Sequence, residues 1–243
     1  MGKIKYFGAY IIPLLGLLTF NSTGVYAYLG LIFLYMLVPI LEQVITPDAY
    51  NLDSVEKELV REDFFFDLVL YLLVPFHLFV IYSFLVNIST PGLAVSDIIA
   101  KVLMMGTILG VNGINVGHEL GHKTNQPFKL FLAHLMLTTS IQNHFMPYHN
   151  GGHHKDVGTP EDFTSAKQGD NFYFFALRSQ IGGYFKTWKL ESKKLKAMGK
   201  NPKWNPMIIY TILPILLFTG IFSFFDLYTM ICYFAAGIFG ISI

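Results

Sequence analysis

The chain has 243 residues, 53% of them hydrophobic and only 14% charged, with a mean hydropathy of +0.49. A soluble domain averages about 25% charged residues, so a surface built only for water is excluded. The net charge of +1 says little by itself, and the single cysteine, Cys232, excludes a disulfide framework and any four-cysteine zinc or iron–sulfur site.

A helix needs about 20 apolar residues to cross a bilayer. Stretches at 7–20, 25–45, 64–86, 93–116 and 207–224 reach or approach that length, and a sixth runs over 228–243. The fold class expected is therefore all-α, a polytopic membrane helix bundle of about six transmembrane helices. Lys3 and Lys5 before the first apolar stretch give it a signal-peptide look, with Val25-Tyr26-Ala27 as a cleavage site. A second, longer apolar run follows at once, which favours a retained first helix. Asn21-Ser22-Thr23-Gly24 makes a tight turn between the first two spans. Pro13, Pro75 and Pro214 fall inside spans, where neighbouring helices can satisfy the backbone groups that proline frees. The apolar stretch 128–137 is about half the spanning length and reads as an interfacial or re-entrant helix.

Lysine and arginine set the orientation. Of 17, two precede the first span, Lys57 and Arg61 lie between the second and third, and twelve lie from Lys123 to Lys203. Only Lys101 is on the other side, where its stem is expected to snorkel to the interface. The positive-inside rule then puts the amino terminus, the loop near 46–63 and all of 118–205 in the cytoplasm.

Five of the eight histidines fall into two boxes. His118-Glu119-Leu120-Gly121-His122 places two imidazoles four apart on one helix face. His149-Asn150-Gly151-Gly152-His153-His154 repeats that spacing, with His154 expected to point elsewhere and the two glycines expected to loosen the helix. Five imidazoles exceed one tetrahedral shell and suit two metals or one expanded shell; imidazole alone does not choose between iron, copper and zinc. The first box also reads as H-E-x-x-H, in which an intramembrane zinc protease would use Glu119 as base. That reading leaves His149, His153 and His154 without a role.

HELGHK, followed 27 residues after His122 by HNGGHHKDVGTPEDFTSAK, resembles the first two histidine boxes of the integral-membrane alkane monooxygenases, within the fatty-acid desaturase and hydroxylase superfamily. The run from Lys155 through Thr159-Pro160-Glu161-Asp162 to Lys167 is the most specific part. The resemblance implies a non-haem site of two Fe ions, with His118, His122, His149, His153 and His154 as ligands. It implies hydroxylation of a terminal alkane methyl, using O2 and electrons from rubredoxin and its reductase. Acyl-chain desaturation or hydroxylation, or alkyl-aromatic hydroxylation, by the same chemistry is the alternative. It places the boxes on the cytoplasmic face of a bacterial inner membrane; no nucleic-acid partner is expected. His144 matches a histidine often found before the second box, without a ligand role. Tyr148 stands where the family often has glutamate, and Phe163 where it often has proline. The family carries further histidines after the sixth span, so the chain is expected to be one incomplete domain over 1–243, with 118–205 as its metal-binding region, inactive alone.

Glu119, Asp156, Glu161 and Asp162 either orient imidazoles or solvate a loop. Lys186, Lys189, Lys193, Lys194 and Lys196 belong to a run of seven lysines against one acid, Glu191. That run either rests on anionic membrane lipid or receives an acidic electron carrier. His77, within the third span, and His134 read as helix-packing residues. Gly113, Gly117 and Gly121 form a stripe for close helix packing.

Overall fold

A computed structural model describes residues 3–46, 51 and 53–243, all of whose regular elements are helical. Residues 47–50 and 52 of the expected 46–63 loop, and the side chain of Arg61, lie outside the described residues. Four helices are long and apolar enough to cross a membrane, and two shorter apolar helices, Lys5–Phe20 and Leu227–Ser242, accompany them. The protein is a polytopic membrane helix bundle.

The chain divides into two compact units. The first runs to Val116 and takes in residues 222–241. It opens with a 3-10 turn, Lys3–Tyr10, leading into α1 (Ile11–Phe20), then the span α2 (Gly24–Val44). The turn between them is fixed from α5 (Val95–Gly121). Asp97 accepts a hydrogen bond from the Gly24 amide at 2.7 Å, and the Lys101 ammonium donates to the Phe20 carbonyl. Lys101 is 2% exposed, so it does not snorkel outward. The open carbonyl end of α1 offers a better partner than the interface, since the last carbonyls of a helix lack intrahelical donors. A π turn, Phe33–Leu37, interrupts α2 just before Pro39, whose missing N–H removes one rung of the helical ladder.

Part of the expected 46–63 loop is a helix, α3 (Ser54–Glu62). Asp53 and Glu56 form a reciprocal capping box at its start, a D-x-x-E signal legible in the sequence. Asp63 ends it and caps the span α4 (Phe64–Ile88) while pairing with Lys3 at 2.6 Å. Helix α5 is the most buried span, 61% of its most apolar stretch lying inside the protein against 11–33% for the other three. The outward faces of those three are apolar, as lipid contact requires.

Gly106 and Gly110 let α5 meet the helix Leu227–Ser242 at backbone distance. A Cβ on Gly106 would lie 2.6 Å from the Ala236 carbonyl, and one on Gly110 2.6 Å from the Gly240 carbonyl. This small-residue seam sits nearer the start of α5 than the expected Gly113–Gly121 stripe.

The second unit covers 117–221: the end of α5, then α6 (Pro127–Thr139), α7 (145–156), α8 (Phe172–Ala197), a 3-10 turn Pro202–Trp204, and most of α9 (Met207–Phe224). The helix Leu227–Ser242 is α10. Helix α6 matches the short helix expected at 128–137. His134 stacks on Tyr210 of α9 at 4.6 Å and shares a 3.2 Å hydrogen bond with its hydroxyl, while His77 is buried within α4.

Candidate metal centre

The last turn of α5 carries His118, and His122 follows its end by one residue with its amide donating to the His118 carbonyl at 3.2 Å; glycine lets this segment approach the second box. A Cβ on Gly117 would meet Leu137 Cγ at 2.8 Å, and one on Gly121 would meet the Met146 side chain at 2.5 Å. Helix α7 thus lies against the end of α5, and Phe145 packs between, 5.9 Å from His118 and stacked at 5.1 Å on His149.

The second box is helical, and its middle is a π turn, His149–His153. A π turn bonds i to i+5, so more than four residues complete one turn. His149, His153 and His154, at i, i+4 and i+5, then share one face. His154 therefore does not point elsewhere: its ring lies 4.3 Å from His149 and 5.8 Å from His122. Of the two glycines expected to loosen the segment, one is set by packing. Gly152 is pressed against the Tyr148 ring and Leu190, with 3.0 Å and 3.1 Å left for a Cβ, while Gly151 faces open space.

The imidazoles converge. His118 Nε2 lies 2.7 Å from His122 Nε2 and 2.9 Å from His149 Nε2. The metal-binding atoms of these three all lie within 4.8 Å of one another. Nitrogens about 2.1 Å from a shared ion sit about 3 to 3.4 Å apart, so this trio fits one metal ion with small ring rotations. Burial and the neighbouring imidazoles push His149 down to about 4, which leaves its ring neutral with a lone pair to donate at neutral pH. Burial does the same to His144, which packs on Tyr184 at 5.6 Å.

His153 extends the cluster and is held from behind. Its Nδ1 lies 2.8 Å from Asp162 Oδ2 and 2.8 Å from Thr164 Oγ1. Asp162 is only 3% exposed. Tyr148, Thr164 and Ser165 hydroxyls donate to its carboxylate at 2.8, 2.8 and 2.6 Å, joined by the Thr164 amide at 3.1 Å. Burial pushes the carboxyl upward, but the hydrogen bonds from Ser165, Tyr148 and Thr164 outweigh it and hold Asp162 well below the usual carboxylate range. An ionised Asp162 can only accept, so His153 donates to it from Nδ1, and Nε2 is the nitrogen turned away from the carboxylate.

The other acids divide. Asp156 pairs with Lys186 at 2.6 Å, and Lys186 also donates to the Glu161 carbonyl at 2.5 Å and lies over the Tyr148 ring. Glu161 and Glu119 carry exposed side chains. Of the five lysines singled out, Lys186 is thus part of the scaffold, whereas Lys189, Lys193, Lys194 and Lys196 are exposed. Tyr148, Thr164 and Ser165 were not anticipated. The hydroxyls two and three residues after Asp162 are a local turn signal, but nothing local announces Tyr148.

A polytopic helix bundle in which two helices bring three imidazoles onto one point, with two more beside them, defines an integral-membrane protein with a histidine site fit for a metal ion. The fatty acid desaturase profile matches residues 96–243, and the chain belongs to that family. It is 32% identical to alkane 1-monooxygenase 1 of Alcanivorax borkumensis over 88% of its length and 53% of that protein. It is 29% identical to the alkane 1-monooxygenase of Pseudomonas putida, over 88% of this chain and 54% of that one. With the alkane 1-monooxygenase of Ectopseudomonas oleovorans identity is 31%, over 83% and 52%. The chain therefore spans about half the length of these curated relatives.

Proposed function

We propose that this chain carries the first two histidine boxes of a non-haem diiron monooxygenase that hydroxylates the terminal methyl of alkanes. The observation that carries the reading is the meeting of the two boxes, His118 and His122 with His149, at nitrogen separations of 2.7 and 2.9 Å. The names of the relatives favour an alkane over an acyl chain.

His118, His122, His149, His153 and His154 are the residues that hold iron. Bound iron supplies the activation of O2. Asp162 fixes the tautomer and direction of His153, and Tyr148, Thr164 and Ser165 fix Asp162. Phe145, stacked on His149, keeps water from that side of the imidazole cluster. Exposed Lys189 and Lys196 offer a positive surface to an acidic electron carrier, rubredoxin. The excess of lysine and arginine over 118–205 supports a cytoplasmic position for this face, and the bacterial relatives support an inner membrane.

The test is 1-octanol formed from octane by the protein expressed at full length and supplied with rubredoxin and its reductase. Octanol formation lost in His149→Ala, with protein still in the membrane fraction, is the expected result. Octanol formation at the parent rate by His149→Ala would overturn the reading.

A further inference from the structure

The second unit holds a cavity of about 760 Å³, lined from the end of α5, from α6, α7 and α8, and from the entry of α9. None of the five box histidines lines it. Leu130, Met146, Leu190, Ala197 and Pro206 make its apolar lining, beside the neutral polar Thr124 and Asn150. Its rim is cationic, with Lys155, Lys193 and Lys194 against the single carboxylate of Glu191. Lys194 lies 3.7 Å from Glu191 and remains 60% exposed, so its charge is available to a ligand. His134 and Tyr210 stack on each other in the wall and form no part of that charge.

The position of the cavity speaks for lipid. Pro206 and Tyr210 stand where the apolar span Pro202–Phe224 begins, beside Trp204, which is 81% exposed. Tryptophan and tyrosine at a span's end mark the headgroup level of a bilayer. The outer face of α8 agrees: Phe174, Leu177, Ile181 and Phe185, spaced three to four residues apart, are all more than half exposed. Such an apolar stripe on a lysine-rich helix is that of a helix lying in the interface. A pocket that is apolar below and basic above, at that level, matches a phosphodiester with acyl chains attached.

We propose that this cavity binds an anionic phospholipid, with Lys193 and Lys194 on the headgroup phosphate and the upper acyl segments along Leu190 and Pro206. The volume lies within the range of about 300–1,000 Å³ usual for small-ligand sites.

The test is native mass spectrometry of the detergent-solubilised 243-residue chain with equal amounts of phosphatidylglycerol and phosphatidylcholine, with and without inorganic phosphate. Phosphatidylglycerol should be retained at least ten-fold over phosphatidylcholine, and phosphate at the lipid's concentration should not displace it. Lys193→Gln with Lys194→Gln should lower retention ten-fold or more. Leu190→Trp, which fills the cavity and keeps both lysines, should lower it as well. Lys189→Gln, Lys196→Gln and Lys200→Gln together, lying outside the cavity, should leave it unchanged. Circular dichroism confirms that each variant keeps its helices, and Leu190→Trp decides if the double lysine variant does not fold. Equal retention of both lipids, displacement by phosphate, or an equal loss in the outer triple variant would each overturn the proposal.

Discussion

Asp162, almost fully buried, sits 2.8 Å behind the Nδ1 of His153. The contact joins a loop carboxylate to the second histidine box and fixes which nitrogen of that imidazole faces the cluster. Asp162→Asn keeps the shape and removes the charge. It is expected to lower iron retention about 10–100-fold, the usual loss when a ligand's supporting partner is changed. Metal content after graded chelator treatment measures this; retention equal to the parent would remove Asp162 from the site.

Tyr148→Phe deletes one hydroxyl that donates to Asp162 and accepts from the Phe163 amide at 2.9 Å. Both partners are then left short inside the protein. The expected loss is about 1–3 kcal/mol in stability, read from thermal unfolding in detergent. An unchanged midpoint would mean that water replaces the hydroxyl without loss.

Gly106→Ala and Gly220→Ala form a matched pair. At Gly106 the new methyl would meet the Ala236 carbonyl at 2.6 Å, whereas at Gly220 nothing lies within 4 Å. Gly106→Ala should destabilise by about 1–3 kcal/mol, as overpacking does. Gly220→Ala, half-buried in α9 but with open space for a methyl, should be neutral or gain up to about 1 kcal/mol. Unfolding by SDS titration separates them; equal behaviour would contradict the close α5–α10 seam.

Lys101 tests the α1–α2 clip. Lys101→Met removes a charged donor from the Phe20 carbonyl and is expected to lower stability by about 1.5–3 kcal/mol. An amine-reactive reagent should modify the exposed lysines of α8 and spare Lys101. Rapid modification of Lys101 would restore the snorkelling arrangement.

Much of this was legible because the membrane simplifies the problem: apolar length alone placed α1, α2, α4, α5, α6, α9 and α10 within a few residues, whereas the polar α3 and the amphipathic α8 carry no such signal. The boxes were legible because i, i+4 spacing brings His118 and His122 onto one face without tertiary information. What stayed hidden depends on helix phase and long-range contact. The π turn at His149–His153 brings His154 into the cluster, and glycine pairs do not announce it. Lys101 turned inward because a carbonyl 81 residues away needed a donor. Tyr148 gained its place only once the loop after Pro160 folded back on α7.

The metal content of the purified chain tests the central claim most directly. Grown with iron and zinc both available, residues 1–243 should hold at least one equivalent of iron. His118→Ala and His149→Ala should each bring it to background, while His77→Ala leaves it unchanged. Stoichiometric zinc with no iron, or iron that survives loss of His149, would contradict an iron site built where the two boxes meet.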